Sequence, residues 1–65
     1  MKVTLNGEVR DIASATLADL LQETGFGGIV VATAVNEEFV SAGARAARRL
    51  IDGDTIEVLS PMQGG

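Results

Sequence analysis

The sequence predicts an α+β domain in which a mixed β-sheet wraps a single main helix. Three observations carry this. Both ends of the chain alternate apolar and polar residues with the period of a half-buried strand; a leucine-rich stretch between them switches to the helical period; and a β-branched run follows that stretch. With 65 residues there is room for one small domain, read as residues 1–59, followed by an extended C-terminal tail over residues 60–65.

Met1-Lys2-Val3-Thr4-Leu5 alternates strictly, and Asn6-Gly7 accepts the positive φ values of a type I′ turn. Glu8 to Ile12 is the returning strand, so residues 1–12 form a β-hairpin. Val9 and Ile12 stand three apart, which points to a bulge or an early strand end. Thr16 is a helix N-cap, with Asp19 at the capping-box position. Leu17, Leu20, Leu21 and Thr24 then follow at i, i+3, i+4 and i+7, an apolar stripe on one amphipathic helix. Gly25 stops it, and Gly25 to Gly28 is a loop.

Ile29 to Val35 is apolar on both faces, the pattern of a central strand. Asn36-Glu37 is a turn and Glu38-Phe39-Val40 a short strand. Ser41 to Arg49 is alanine-rich and makes a helical turn or two, weakened by Gly43. Asp52-Gly53-Asp54 is a tight turn. Thr55 to Leu59 is the last strand, with Ile56 and Val58 toward the helix and Thr55, Glu57 and Leu59 outward. Pro61 ends it, because proline cannot donate to a ladder.

Composition excludes several functions. The net charge is −4 with a sequence pI near 4.4, and Asp52 and Asp54 follow Arg45, Arg48 and Arg49 closely. No basic stripe is left for nucleic acid or an anionic membrane. No apolar run reaches the ~20 residues that span a bilayer, and no signal-peptide pattern opens the chain. The expected location is the cytoplasm. There is no Cys and no His, so the usual nucleophile and the usual general base are missing. No catalytic residue, cofactor or metal site is expected, and an autonomous enzyme is disfavoured. Asp52 and Asp54 fall far short of the six to eight oxygens calcium requires. The Gly25–Gly28 loop follows a helix, whereas a phosphate-cradling loop precedes one. The three arginines stay open to two readings, a solvated face or a patch for an acidic partner.

Gly64-Gly65 offers chemistry of another kind. A side-chain-free segment threads a narrow tunnel whose walls touch the backbone on both sides, and it presents its carboxylate to a reagent inside a partner. Adenylation makes that carboxylate an acyl donor, and a sulfur nucleophile can then capture it. The bland alternatives are a frayed end or an expression scar.

With this tail in view, the chain resembles the ThiS family, the β-grasp (ubiquitin-like) sulfur carriers of thiazole formation in thiamine biosynthesis. The resemblance runs through Asn6-Gly7, Thr16-Leu17-x-x-Leu20-Leu21, Val31-Ala32-x-Ala34-Val35-Asn36, Val40, Asp52-Gly53-Asp54-x-Ile56-Glu57 and Gly64-Gly65. It implies that a ubiquitin-activating-type adenylyltransferase adenylates the Gly65 carboxylate. A cysteine-derived persulfide donor then supplies sulfur for a thiocarboxylate, and thiazole synthase accepts it. Gly65 is the implied covalent site, and Met62, Gln63 and Gly64 the residues threaded into the partner. The partner surface expected from the strands is Ala32, Ala34, Glu57 and Leu59, small apolar groups rimmed by acid.

Two stretches depart from the family. Ser41-Ala42 stand where members often carry Pro-Arg, and Ala44, Ala46 and Ala47 are smaller than the usual apolar residue of the short helical stretch. Three other functions compete: a molybdopterin-synthase small subunit, usually longer; a ubiquitin-like modifier joined to lysines through Gly65; and an interaction domain whose tail is incidental.

Overall fold

Asn6 and Gly7 take φ of 50° and 85°, the left-handed pair that lets a two-residue turn follow the twist of its strands. They join β1 (Lys2–Leu5) to β2 (Glu8–Asp11) in a regular antiparallel register from Leu5↔Glu8 to Lys2↔Asp11. No bulge interrupts this ladder. Val9 lies opposite Thr4 on the face away from the helix, so its spacing from Ile12 needs no extra residue. The strand ends early, at Asp11. Ile12 then turns into the core, its N–H donating to the Met1 carbonyl at 2.8 Å.

The computed structural model describes residues 1–60. Helix α1 spans Leu17–Glu23 and buries Leu17, Leu20 and Leu21, the leading residues of the predicted stripe. The Thr16 side chain accepts the Asp19 N–H at 3.2 Å, satisfying one of the amides a helix start leaves unpaired. The other end closes with paired bonds, Phe26 N–H to the Leu21 carbonyl at 2.8 Å and Gly25 N–H to the Gln22 carbonyl at 3.4 Å. This is the Schellman pattern, and it turns Phe26 back against the core.

The second hairpin is β3 (Ala32–Val35) and β4 (Glu38–Val40), closed by Asn36-Glu37, both also at positive φ. The predicted strand from Ile29 is three residues too long. Its neighbour in the sheet explains why: Ala32 pairs with Leu59, the last residue of β5 (Thr55–Leu59), so Ile29 to Val31 have no ladder to join. Ile29 and Val30 lie exposed, and only Val31 turns in.

The sheet order is β2-β1-β5-β3-β4, with β1 and β5 parallel and the remaining pairs antiparallel. The centre belongs to β5, not to β3, although β3 has neighbours on both sides. One face packs on α1; the other is open, which is why β5 keeps clean alternation while lying in the middle. Val3, Leu5, Val35, Val40, Ile56 and Val58 meet Leu17, Leu20 and Leu21, with Ile12, Val31 and Leu50 closing the core's edges.

Between β4 and β5 the chain makes a 3₁₀ turn over Ala42–Ala44 and then passes the helix start, where Leu17 N–H donates to the Arg48 carbonyl and Leu50 N–H to the Ala15 carbonyl, both at 2.9 Å. In the Asp52-Gly53-Asp54 turn both carboxylates are used locally. Asp52 accepts the Lys2 N–H at 2.8 Å, while buried Asp54 accepts the Ile51 N–H at 2.9 Å and the Asn36 Nδ2–H at 3.0 Å. These bonds give the two aspartates a structural use, as the turn reading predicts.

Candidate functional site

The open face of the sheet and the end of β5 carry the features that the sequence assigns to recognition. Alternation puts Ile56 and Val58 inward and leaves Thr55, Glu57 and Leu59 outward. The register then sets Leu59 beside Ala32, and Glu57 beside Ala34, whose other neighbour is Phe39. The four residues expected on the partner surface therefore share one face. Phe39 and Val30 belong there as well, 70% and 79% exposed, together with Leu59 at 64%. Phe39 was legible from Val40, since an inward residue in a strand fixes its neighbour outward. Val30 was not, because it reads as part of a strand that starts later.

Val30, Val31, Ala32, Leu59 and Ser60 line a depression of about 270 Å³ beside the point where the described chain ends. An exposed apolar patch with Glu57 on its margin has the composition of an interface: apolar centre, polar rim. Gly65, Gly64, Gln63 and Met62 lie outside the described residues.

The final residues of β5 are held from both sides. On one side the Ala32↔Leu59 and Thr33↔Val58 pairs continue the ladder. On the other, β1 stops at Leu5, and its place is taken by the Asn6 side chain. The Val58 N–H donates to Asn6 Oδ1 at 2.8 Å, and Asn6 Nδ2 donates to the Val58 carbonyl at 3.1 Å. Asn36 does similar work at the start of the strand, accepting the Thr55 N–H at 2.9 Å and donating to Asp54.

The charged groups lie elsewhere and serve as fasteners. Lys2 and the N-terminal ammonium hold the Asp11 carboxyl below its ordinary range. The Ser14 hydroxyl, followed by the Ala13 N–H, does the same for Glu23, which ties the helix's last turn to the loop before it. Asp11, paired with Lys2, faces the open side of the sheet, but on β2 at the edge, two strands from Leu59; Glu23 belongs to the helix. Among the described residues no group of His, Cys, Asp and Glu is arranged to hold a metal ion.

The arginine cluster is divided. Arg45 donates to the Val31 carbonyl at 2.6 Å and to Thr33 Oγ1 at 3.0 Å, bracing the entry to β3. Arg48 stands 3.5 Å from exposed Glu38, a surface pair of little energetic weight. Arg49 is exposed and its backbone bridges to Thr16. A single basic patch is not what these three form.

Known proteins match this architecture along its length. The ThiS family pattern matches residues 3–65. The sulfur carrier protein ThiS of Thermus thermophilus is 43% identical over 97% of this chain and 98% of its own. The crystal structure of the thiamine biosynthesis protein ThiS from Geobacter metallireducens superposes with a TM-score of 0.83 at 29% identity, covering all of both chains. A solution structure of a thiamine biosynthesis protein from the same organism gives 0.80 at 29% identity, over all of this chain and 88% of the other. The five-stranded mixed sheet on one helix is thus the β-grasp fold of these proteins. A pattern that runs from the first strand through the last glycine, joined to a full-length relative at 43% identity, places the chain: it belongs to the ThiS family.

Proposed function

We propose that this chain is the sulfur carrier of thiazole formation, and that its load rides on the carboxylate of Gly65. The observation that carries the reading is the reach of the family match, which extends through Gly64 and Gly65 as well as the folded domain. The carrier function itself follows from the family and from its Thermus relative; the chain is a co-substrate of other enzymes, not a catalyst.

The chemistry needs no side chain from this protein. One oxygen of the Gly65 carboxylate attacks the α-phosphorus of ATP in an adenylyltransferase of the ubiquitin-activating type, giving an acyl-adenylate and pyrophosphate. A persulfide sulfur from the donor enzyme then attacks the acyl carbon and expels AMP. The new C–S bond leaves an acyl disulfide, and a second thiol then cleaves the persulfide's original S–S bond, leaving the thiocarboxylate on Gly65 and a disulfide on the donor side. Thiazole synthase accepts the sulfur. The domain supplies recognition: Leu59, Ala32, Ala34, Val30 and Phe39 dock the carrier, with Glu57 at the rim, while Met62, Gln63 and Gly64 thread toward the active centre. A partner's tunnel that touches both sides of the backbone admits glycine and excludes a Cβ. The exchange takes place in the cytoplasm. No helix among the described residues is long and apolar enough to cross a membrane.

Deleting Gly65 tests the reading. The truncated chain should keep the melting temperature of the full one and lose all ATP–pyrophosphate exchange with the adenylylating enzyme of its own organism. Exchange that survived the deletion would remove Gly65 as the site of activation.

A further inference from the structure

Asn6 meets the needs of the first turn with its backbone alone. A type I′ turn asks for a residue that accepts φ near +50°, and glycine would serve as well as asparagine. The side chain does something the turn does not require: it reaches across to the far end of the central strand.

In a parallel ladder each strand's N–H and C=O groups alternate toward one neighbour and then the other. On the β1 side, β5 receives Thr4 N–H at the Asp54 carbonyl and Asn6 N–H at the Ile56 carbonyl, both at 2.9 Å. The next groups due to face that side are the N–H and C=O of Val58, but the chain has already turned at Asn6. The Asn6 amide, which carries both a donor and an acceptor, meets the pair at 2.8 and 3.1 Å. It stands in for one more residue of β1 at the last point before the chain leaves the sheet. Leu59 lies next to this clamp, and Ser60 follows it.

We infer that Asn6 is a positioning residue for the chemistry at Gly65: its side chain fixes the end of β5 at Val58, so that a docked carrier holds the last residues of its folded domain in one place while Gly65 reacts in the partner's active centre. This rests on the carrier reading above. Without the Asn6 amide, the Val58 N–H and C=O lose their partners on that side and the β5 end is held by β3 alone. The docking face would still bind, yet the terminal carboxylate would reach the α-phosphorus of ATP in a smaller fraction of encounters. Misplacement of a reacting group by about 1 Å is enough to cost up to ~100-fold; the looser hold left by β3 pairing alone makes about tenfold the expected loss.

The molecule contains its own control. Asn36 occupies the other hairpin turn, also at positive φ, and bonds the opposite end of the same strand. Asn6→Gly and Asn36→Gly therefore remove equivalent side chains from equivalent turns, one beside the exit and one away from it. Asn6→Asp is the milder variant, keeping an acceptor for the Val58 N–H and losing the donor to the Val58 carbonyl.

The test is ATP–pyrophosphate exchange by the organism's adenylylating enzyme with the full-length chain as varied substrate, beside amide hydrogen exchange read at Val58 by NMR. For Asn6→Gly we expect kcat to fall about tenfold with KM within about twofold of wild type, a loss of transition-state positioning and not of docking. Val58 exchange should accelerate, Asn6→Asp should fall between, and Asn36→Gly should match wild type in both constants. Equal kcat for Asn6→Gly and wild type, with Val58 exchange accelerated, would overturn the positioning role and leave the carrier function standing. Equal losses in the Asn6 and Asn36 variants would overturn it too, marking a general effect of strand stability. A wild-type chain that supported no exchange would overturn the carrier reading itself.

Discussion

Leu59 separates recognition from stability. Its side chain is 64% exposed although it belongs to the central strand. Complete burial of a leucine is worth about 1.5–3 kcal/mol. Folding has collected about a third of that, roughly 0.5–1 kcal/mol, and docking on the open face stands to collect the remainder, roughly 1–2 kcal/mol. Leu59→Ala should therefore weaken binding to the adenylylating enzyme by about 5- to 30-fold and lower unfolding stability by no more than about 1 kcal/mol. Leu20, fully buried against the sheet, should behave in the opposite way: Leu20→Ala costs about 2–5 kcal/mol of stability, a large share of the roughly 3–10 kcal/mol expected of a chain this size. Calorimetric titration gives the binding change and urea denaturation the stability change. An unchanged Kd for Leu59→Ala, or a stability loss as large as that of Leu20→Ala, would refute the assignment of this face.

Other consequences follow from the fasteners. Asp54→Ala strands the Ile51 N–H and the Asn36 amide, each bonded to the buried carboxylate; hydrogen bonds to charged groups are worth about 1.5–3 kcal/mol, so the urea midpoint should drop by the equivalent of at least about 2 kcal/mol with its slope unchanged. Glu23 titrates below its ordinary range because Ser14 and Ala13 donate to its ionised form. Its contribution is therefore fully present above the unfolded-state pKa and is lost as pH falls through the lower folded-state value. Melting temperature should decline as pH falls through and below the ordinary glutamate range, and Glu23→Gln should flatten part of that decline; an identical pH profile in the variant would remove Glu23 as a source of the acid sensitivity.

Short-range chemistry made much of this molecule readable. The alternation of Lys2 to Leu5 and of Thr55 to Leu59, the Asn6-Gly7 dipeptide and the Thr16 cap each specify local backbone, and each appears where its residues place it. What escaped depends on partners distant in sequence. The length of β3 is set by where β5 runs out, and nothing in Ile29-Val30-Val31 records that. The parallel pairing of β1 with β5 joins the first and last strands and puts β5 in the middle of the sheet, with β3 interior beside it. Asparagine at a turn explains itself through φ alone, so the second use of Asn6 and Asn36 stayed hidden. On the open face, alternation exposed Ala32, Ala34, Glu57 and Leu59 in advance, while Val30 needed the fold.

Gly65 is where the account is most open to direct measurement. Intact-mass spectrometry on the chain purified from its native host, with fragmentation to locate the change, should show a subpopulation in which one terminal carboxylate oxygen is replaced by sulfur on Gly65. That fraction should grow on incubation with ATP, a persulfide source and the host's adenylylating enzyme. A free carboxylate throughout, even after that incubation, would contradict the carrier assignment and leave a β-grasp interaction domain.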